Sequence, residues 1–264
     1  MGEGSDTGRK VLKKGIKREI LIFLGMIADG IWAQTFRNQL RRMAFDGWYQ
    51  KSNFASSISK LLSVGDIEKV EKKGKVFLRL TSQGNKHLTQ SIPFLKFARK
   101  QWDGYWRIVI FDINEKSRSV RNSLREKLVS LGFGQWQRSV YITPHDISGE
   151  ITQFLKSKRL LSVCVCLEAR QIGVEDEGEL AEKVWQLNDL NEAYYSLFLD
   201  CQNLLSRVGE KKSDRRQFHQ LWLAYQEIIC RDPYLPRELL PKNWWAEKAQ
   251  EILKELMSSF AKTT

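Results

Sequence analysis

The sequence predicts an α+β chain in three parts: an N-terminal winged helix-turn-helix, a central ferredoxin-like βαββαβ domain and a helical C-terminal domain. Three observations carry that prediction. The first eighty residues pair helical apolar spacing with a lysine-tipped hairpin pattern; the middle alternates strand and helix periods in the order β-α-β-β-α-β; the last third is helical and broken by prolines. The parts run over 1–81, 104–175 and 176–264, with a linker helix in 82–103.

A chain of 264 residues suits two or three domains, and 42% apolar residues with nine tryptophans give each of them a core. No run of 18 apolar residues occurs, and Met1 to Gly15 is polar and lysine-rich without an apolar signal core. The expectation is a soluble, cytoplasmic protein with no membrane partner. Cys164, Cys166, Cys201 and Cys230 show neither a C-x-x-C pair nor zinc spacing, so they read as free thiols, buried where they sit in the apolar run LLSVCVCL. No cofactor and no enzymatic activity are expected.

The net charge of +12 is unevenly spread. Residues 1–103 carry 20 Lys/Arg against 9 Asp/Glu, residues 104–175 carry 11 against 7, and residues 176–264 carry 12 against 15. Positive charge concentrated at one end calls for a polyanion there. A membrane-surface helix is the competing use of such charge, but it needs lysines along one face of a strongly apolar helix, and these lysines lie in turns and on polar faces.

Taken in order, Ile16, Ile20, Leu24, Ile27 and Ile31 fall at helical spacing, with Lys17 and Arg18 facing away and Gly30 suited to a helix end. A second helix is expected over Thr35 to Ala44. Ser52 is a good N-cap for a third, from about Asn53 to Val64. On that helix Phe54, Ile58, Leu61 and Leu62 share one side, and Asn53, Ser56, Ser57, Lys60 and Ser63 share the other. Short amides and hydroxyls with one cation can approach base edges and phosphates in a major groove. Taken alone, the same face suits an ordinary solvated helix.

The next segment tips the reading towards DNA. IEKVEKKGKVFLRLT (67–81) predicts two strands joined by a turn at Lys72-Lys73-Gly74-Lys75, with Val76, Leu78 and Leu80 alternating towards a core. Such a wing places Lys72, Lys73 and Lys75 over phosphates beside the groove. Thr81 caps the helix that follows. The expected partner is double-stranded operator DNA.

In the middle, YWRIVIFDI (105–113) is a strand apolar on both faces. A helix follows over Glu115 to Leu131 with Val120, Leu124, Leu128 and Leu131 inward, then a bent strand or tight hairpin over 133–142, a helix over Ile147 to Lys158, and a strand over Leu160 to Leu167. A ferredoxin-like sheet has its helices on one face, so strands apolar on both sides call for another chain or domain on the second, and a homodimer is expected. Asp112, at the end of the first strand, is either a helix-capping turn residue or one half of a Mg²⁺ site shared across a two-fold axis. Arg118, Arg121 and Arg125 form a stripe that is either solvated or touches flanking DNA.

In the tail, Leu180, Val184, Leu187, Leu190, Tyr194 and Leu197 line a helix. Another helix breaks at Arg231-Asp232-Pro233, before a rigid connection through Leu235, Pro236, Leu239, Leu240 and Pro241. Trp222, Trp244 and Trp245 are either core residues or the walls of an apolar pocket.

YWRIVIFDI, KSRSVRNSLREKLVSLGFGQWQRSVYITPHD (116–146), the W-x-L-x-x-L helix at 185–190 and DPYLPRELLPKNW together resemble the phenylacetate-operon repressor (PaaX) family over nearly the whole chain. Residues 104–172 also resemble the second Cas protein of CRISPR spacer acquisition, in which the aspartate matching Asp112 is the proposed metal ligand. The first resemblance implies a dimeric repressor released by a small-molecule effector, typically an aryl-CoA thioester. The second implies, as the alternative, a metal-dependent endonuclease built on paired Asp112 residues. Where the repressor family commonly has aspartate before the tryptophan and proline-glycine after it, this chain has Asn243, Trp244, Trp245 and Ala246, so the effector is left unassigned.

Overall fold

The computed structural model describes residues 15–27, 51–72, 75–92, 94–98, 100–170, 176–207 and 212–262. The second predicted helix, over 35–44, lies outside the described residues. Among those described, the helices are α1 (Ile16–Ile27), α2 (Lys51–Ser63), α3 (Ser82–Ser91), α4 (Arg118–Leu131), α5 (Ser148–Ser157), α6 (Glu177–Trp185), α7 (Leu187–Leu205), α8 (Lys212–Arg231) and α9 (Ala246–Lys262). The strands are β1 (Ile67–Lys72), β2 (Lys75–Leu80), β3 (Trp106–Phe111), β4 (Gly134–Gln137), β5 (Val140–Thr143) and β6 (Cys164–Ala169). No described helix is long and apolar enough to cross a membrane. Contacts divide the chain into two compact units, residues 1–92, 197–226 and 250–264 in one, and 93–196 and 227–249 in the other.

In the first unit α1 is more deeply buried than an amphipathic spacing requires. Its run Ile20, Leu21, Ile22, Phe23, Leu24 is buried on every side, and the Trp222 ring meets Phe23 edge-on at 5.7 Å between centroids. The helix packs against α2, α3 and β2. β1 and β2 form an antiparallel hairpin that pairs Ile67 with Leu80 and Lys72 with Lys75. Thr81 caps α3 as expected, accepting the Gly84 amide at 3.0 Å. Close approach explains Gly84, since a Cβ there would lie 2.0 Å from the Asp66 carbonyl oxygen. Within the span of the expected linker helix, 82–103, α3 ends at Ser91, and the described residues beyond it form a 3₁₀ turn at Leu95–Phe97.

In the second unit the sheet order is β4-β5-β3-β6, all neighbours antiparallel, which is the order of a ferredoxin-like split unit. Residues 133–142 resolve into the tight hairpin β4–β5, with a register irregularity between Gln135 and Gln137. One sheet face carries Val109, Phe111, Tyr141 and Cys164 against Leu124, Leu128 and Leu131 of α4 and Ile151 and Leu155 of α5. Val120 was expected among them; it lies in the first turn of α4 and is 39% exposed, because the buried row begins one turn later at Leu124. Two arginines of the α4 stripe serve as tethers. Arg121 donates to the Ile113 carbonyl and Arg125 to that of Arg138, while Arg118 is exposed.

The second face is the one that called for another chain or domain. Trp106, Ile108 and Ile142 there are covered by Leu180 and Ala181 of α6, by Leu187, and by Leu235 and Leu239 of the proline-rich connection. Gly134 permits the α6 contact, since a Cβ on it would stand 2.1 Å from Val184. The cover stops short of the β6 side, where Ile110, Val163, Val165 and Leu167 are exposed. β6 itself starts at Cys164, later than the expected Leu160, because the residues before it make a turn that donates from the Val163 amide to the Leu160 carbonyl. Cys164 is buried and Cys166, on the edge strand, exposed, although both were expected inside. Burial raises the Cys164 thiol to about 11 and Cys201 to about 12, which keeps both protonated and unreactive.

The predicted helix over 180–201 is two helices, divided at Gln186 in the left-handed region (φ 54°). A buried polar cluster anchors the proline-rich connection beyond α8. The Asp232 carboxylate accepts from the Tyr194 hydroxyl and the Tyr234 amide, each at 2.7 Å, and burial pushes its pKa up. His145 stacks flat on Phe97 with centroids 3.7 Å apart and sets Nε2 at 3.3 Å from the Pro233 carbonyl. Burial lowers its pKa to about 4, so near neutrality it is an uncharged ring donating Nε2–H to that carbonyl.

Candidate nucleic-acid interface

The candidate interface begins with the two sides of α2. Phe54 and Leu61 are buried and Ile58 and Leu62 half-buried, whereas Asn53, Ser56, Lys60 and Ser63 are exposed and Ser57 half-buried. The apolar side packs α2 against α1 and β1, which leaves the polar side outward. The helix already includes Lys51, so the backbone of Ser52 stands inside the described helix rather than before it; its side chain lies outside the described residues. The Ser57 hydroxyl donates to the Asn53 carbonyl at 2.8 Å, so that proton is spent within the helix. Asn53 and Ser56 are exposed beside it, and no hydrogen bond joins either side chain to another described residue.

The hairpin stands next along the chain and is braced from below. The Asp66 carboxylate, almost fully buried, lies 2.6 Å from Nδ1 of His87 on α3. Thr81 Oγ1 donates to the Gly65 carbonyl at 2.6 Å, and Gln83 Nε2 donates to that of Val64 at 2.6 Å. These bonds tie the turn after α2 to the start of α3, fixing the helix relative to the root of the hairpin. Glu68 and Arg79, directly opposite in the register, pair at 2.8 Å. Lys72 and Lys75 end the two strands as partners in register; the side chains of both, and all of Lys73, lie outside the described residues.

One contributor escaped the sequence reading. Gly15, Ile16 and Lys17 at the start of α1 line a single open cleft together with Asn53, Ser56, Ser57 and Lys60. The available signal was the placement of Lys17 on the non-apolar side of the first helix, which by itself says only that the lysine is solvated.

Asp112 is exposed, just past β3, and its backbone amide donates to the Val163 carbonyl at 2.9 Å. Among the described residues no group of three or more His, Cys, Asp or Glu is arranged to hold a metal ion. The tryptophans fall into separate clusters. Trp222 is fully buried beside Phe23 and Tyr225, Trp244 meets Tyr194 edge-on, and Trp245 tilts over Tyr195 with Lys248 on its ring at 4.3 Å.

Comparison with known proteins adds the family context. Residues 99–181 match the family described as PaaX protein central Cas2-like domain, and residues 185–264 match PaaX-like protein C-terminal domain. The transcriptional repressor PaaX of Escherichia coli (strain K12) is 25% identical over 245 residues, which cover 88% of this chain and 72% of that protein. The solved structure of the uncharacterized protein Rv0674 from Mycobacterium tuberculosis aligns over 94% of this chain and 97% of its own, with a TM-score of 0.56 and 20% identity, a likeness of fold.

Proposed function

The chain belongs to the PaaX-like transcriptional repressor family, and from that premise we propose that it is itself a repressor that binds double-stranded operator DNA as a homodimer. The observation that carries the proposal is the open polar side of α2, held at a fixed angle to a hairpin whose turn holds Lys72, Lys73 and Lys75. In this reading the recognition surface comprises Ser52, Asn53, Ser56, Ser57 and Lys60, and the three hairpin lysines neutralise adjoining phosphates. Support for the homodimer is narrower than the sequence expectation, because the chain itself covers most of the second sheet face. What remains, among the described residues, is the apolar strip Ile110, Val163, Val165 and Leu167 beside the outer edge of β6. Release by a small-molecule effector is carried over from the family resemblance as part of the same proposal.

Selection of bound duplexes from a random DNA pool tests this function. The expected result is an enriched, roughly palindromic motif with two half-sites. Recovery of no motif would remove the sequence-specific reading, and an enriched single half-site would remove the dimer.

A further inference from the structure

We propose that the cleft between the start of α1 and the polar side of α2 is a phosphate-backbone clasp, in which Lys17 and Lys60 hold DNA phosphates while Asn53 and Ser56 are left to the bases. This inference rests on the DNA-binding proposal and redistributes its roles, since Lys60 moves from reading sequence to positioning the duplex.

The cleft measures about 530 Å³, within the usual range for small-molecule pockets of roughly 300–1,000 Å³, so size does not decide its occupant. Its walls do. Pockets for small molecules are enclosed, whereas this cleft is open to solvent, and among its described lining residues Ile16 is the one large apolar side chain. Among the described residues two lysines line it and no carboxylate does. Neither lysine is paired with a described residue, and Glu19, the acidic residue in the first turn of α1, is buried with His219 Nε2 3.9 Å from its carboxylate. Two ammonium groups at one cleft favour a multivalent oxyanion, and lysine meets phosphate as a point charge that needs no fixed fork geometry.

A nucleic-acid backbone and free phosphate present the same chemistry. Lys60 shares the outward side of α2 with Asn53 and Ser56, so a duplex lying along that side brings its own phosphates to the cleft. The occupant is therefore the duplex backbone.

The test is to measure affinity against salt for the full chain with the selected duplex and with a shuffled one, comparing wild type, Lys17→Ala, Lys60→Ala, and the Lys→Arg variant of each. Each alanine variant is expected to reduce the magnitude of the log K against log salt slope by about 1. Each should weaken both duplexes equally and leave the sequence ranking unchanged, and arginine should restore the slope. Unchanged slopes, or a changed ranking at constant slope, overturn the clasp while wild-type binding still stands. Failure of wild type to bind any duplex overturns the DNA reading and the clasp together. In a parallel arm at matched ionic strength, inorganic phosphate is titrated against thermal melting. Stabilisation of wild type but not of the alanine variants, with duplex slopes unchanged, would assign the cleft to free phosphate and overturn the backbone clasp.

Discussion

Helix α2 and strand β3 each have two distinct sides, and the chain treats them differently. α2 buries Phe54 and Leu61 and leaves Asn53, Ser56 and Lys60 open to solvent. β3 buries Val109 and Phe111 under α4 and α5 on one side, and Trp106 and Ile108 under α6 and the proline-rich connection on the other. A polar side costs nothing to leave in water and is available to a ligand, whereas an apolar side is closed by whatever chain can reach it. The first region is thus built for contact and the second for packing. Substitutions should separate them, with stability lost in the sheet unit and DNA affinity lost in the α2 region.

The largest effect is expected in the sheet core. Leu128→Ala empties a fully buried position under the sheet and should cost about 2–5 kcal/mol. Equilibrium denaturation measures it, and a loss below about 1 kcal/mol would contradict the packing role. A second test uses acid. His145 ionises near 4 in the fold against 6.5 as a free side chain, because burial disfavours its charged form. Its depressed value means that stability is fully present above pH 6.5 and is lost as pH falls from 6.5 towards 4, by about 3 kcal/mol across that window. His145→Phe should keep the stack on Phe97 and flatten this dependence relative to wild type. Identical pH profiles for the two proteins would place the acid sensitivity elsewhere.

In the α2 region the same substitution types should leave melting almost unmoved. Replacing Lys72, Lys73 and Lys75 together by alanine is expected to weaken all duplexes alike and to reduce the salt slope by about 2.7. An unchanged slope would contradict the wing assignment. The smallest and most local effect belongs to Asn53→Ala, expected to relax discrimination at one base position by about 1–3 kcal/mol, read as a change in the selected motif. Ser57→Ala should alter that motif less, because the Ser57 proton is already spent on the Asn53 carbonyl.

Much of this was legible in local pattern. The apolar side of α2, the cap at Thr81, the hairpin register and the βαββαβ order each follow from periodicity and turn chemistry over a few residues. The break at Gln186 was not legible, since its left-handed backbone carries no glycine to announce it. Nor was the exposure of Cys166, because strand alternation assigns a side chain to a face without saying whether the strand is an edge.

By itself, then, the sequence determined the apolar side of α2, the ends of α2, β3, α4 and α5 to within a few residues, and where positive charge concentrates. Those properties live in short stretches of chain, where the 3.6- and 2-residue periods and the formal charges act without reference to distant residues. Only the tertiary structure decided what covers the second sheet face, that Lys17 shares a cleft with Lys60, and that Ser57 bonds to its own helix. Such outcomes depend on which segments distant in sequence, or which of several available partners, reach a group in three dimensions, and no local period encodes that choice.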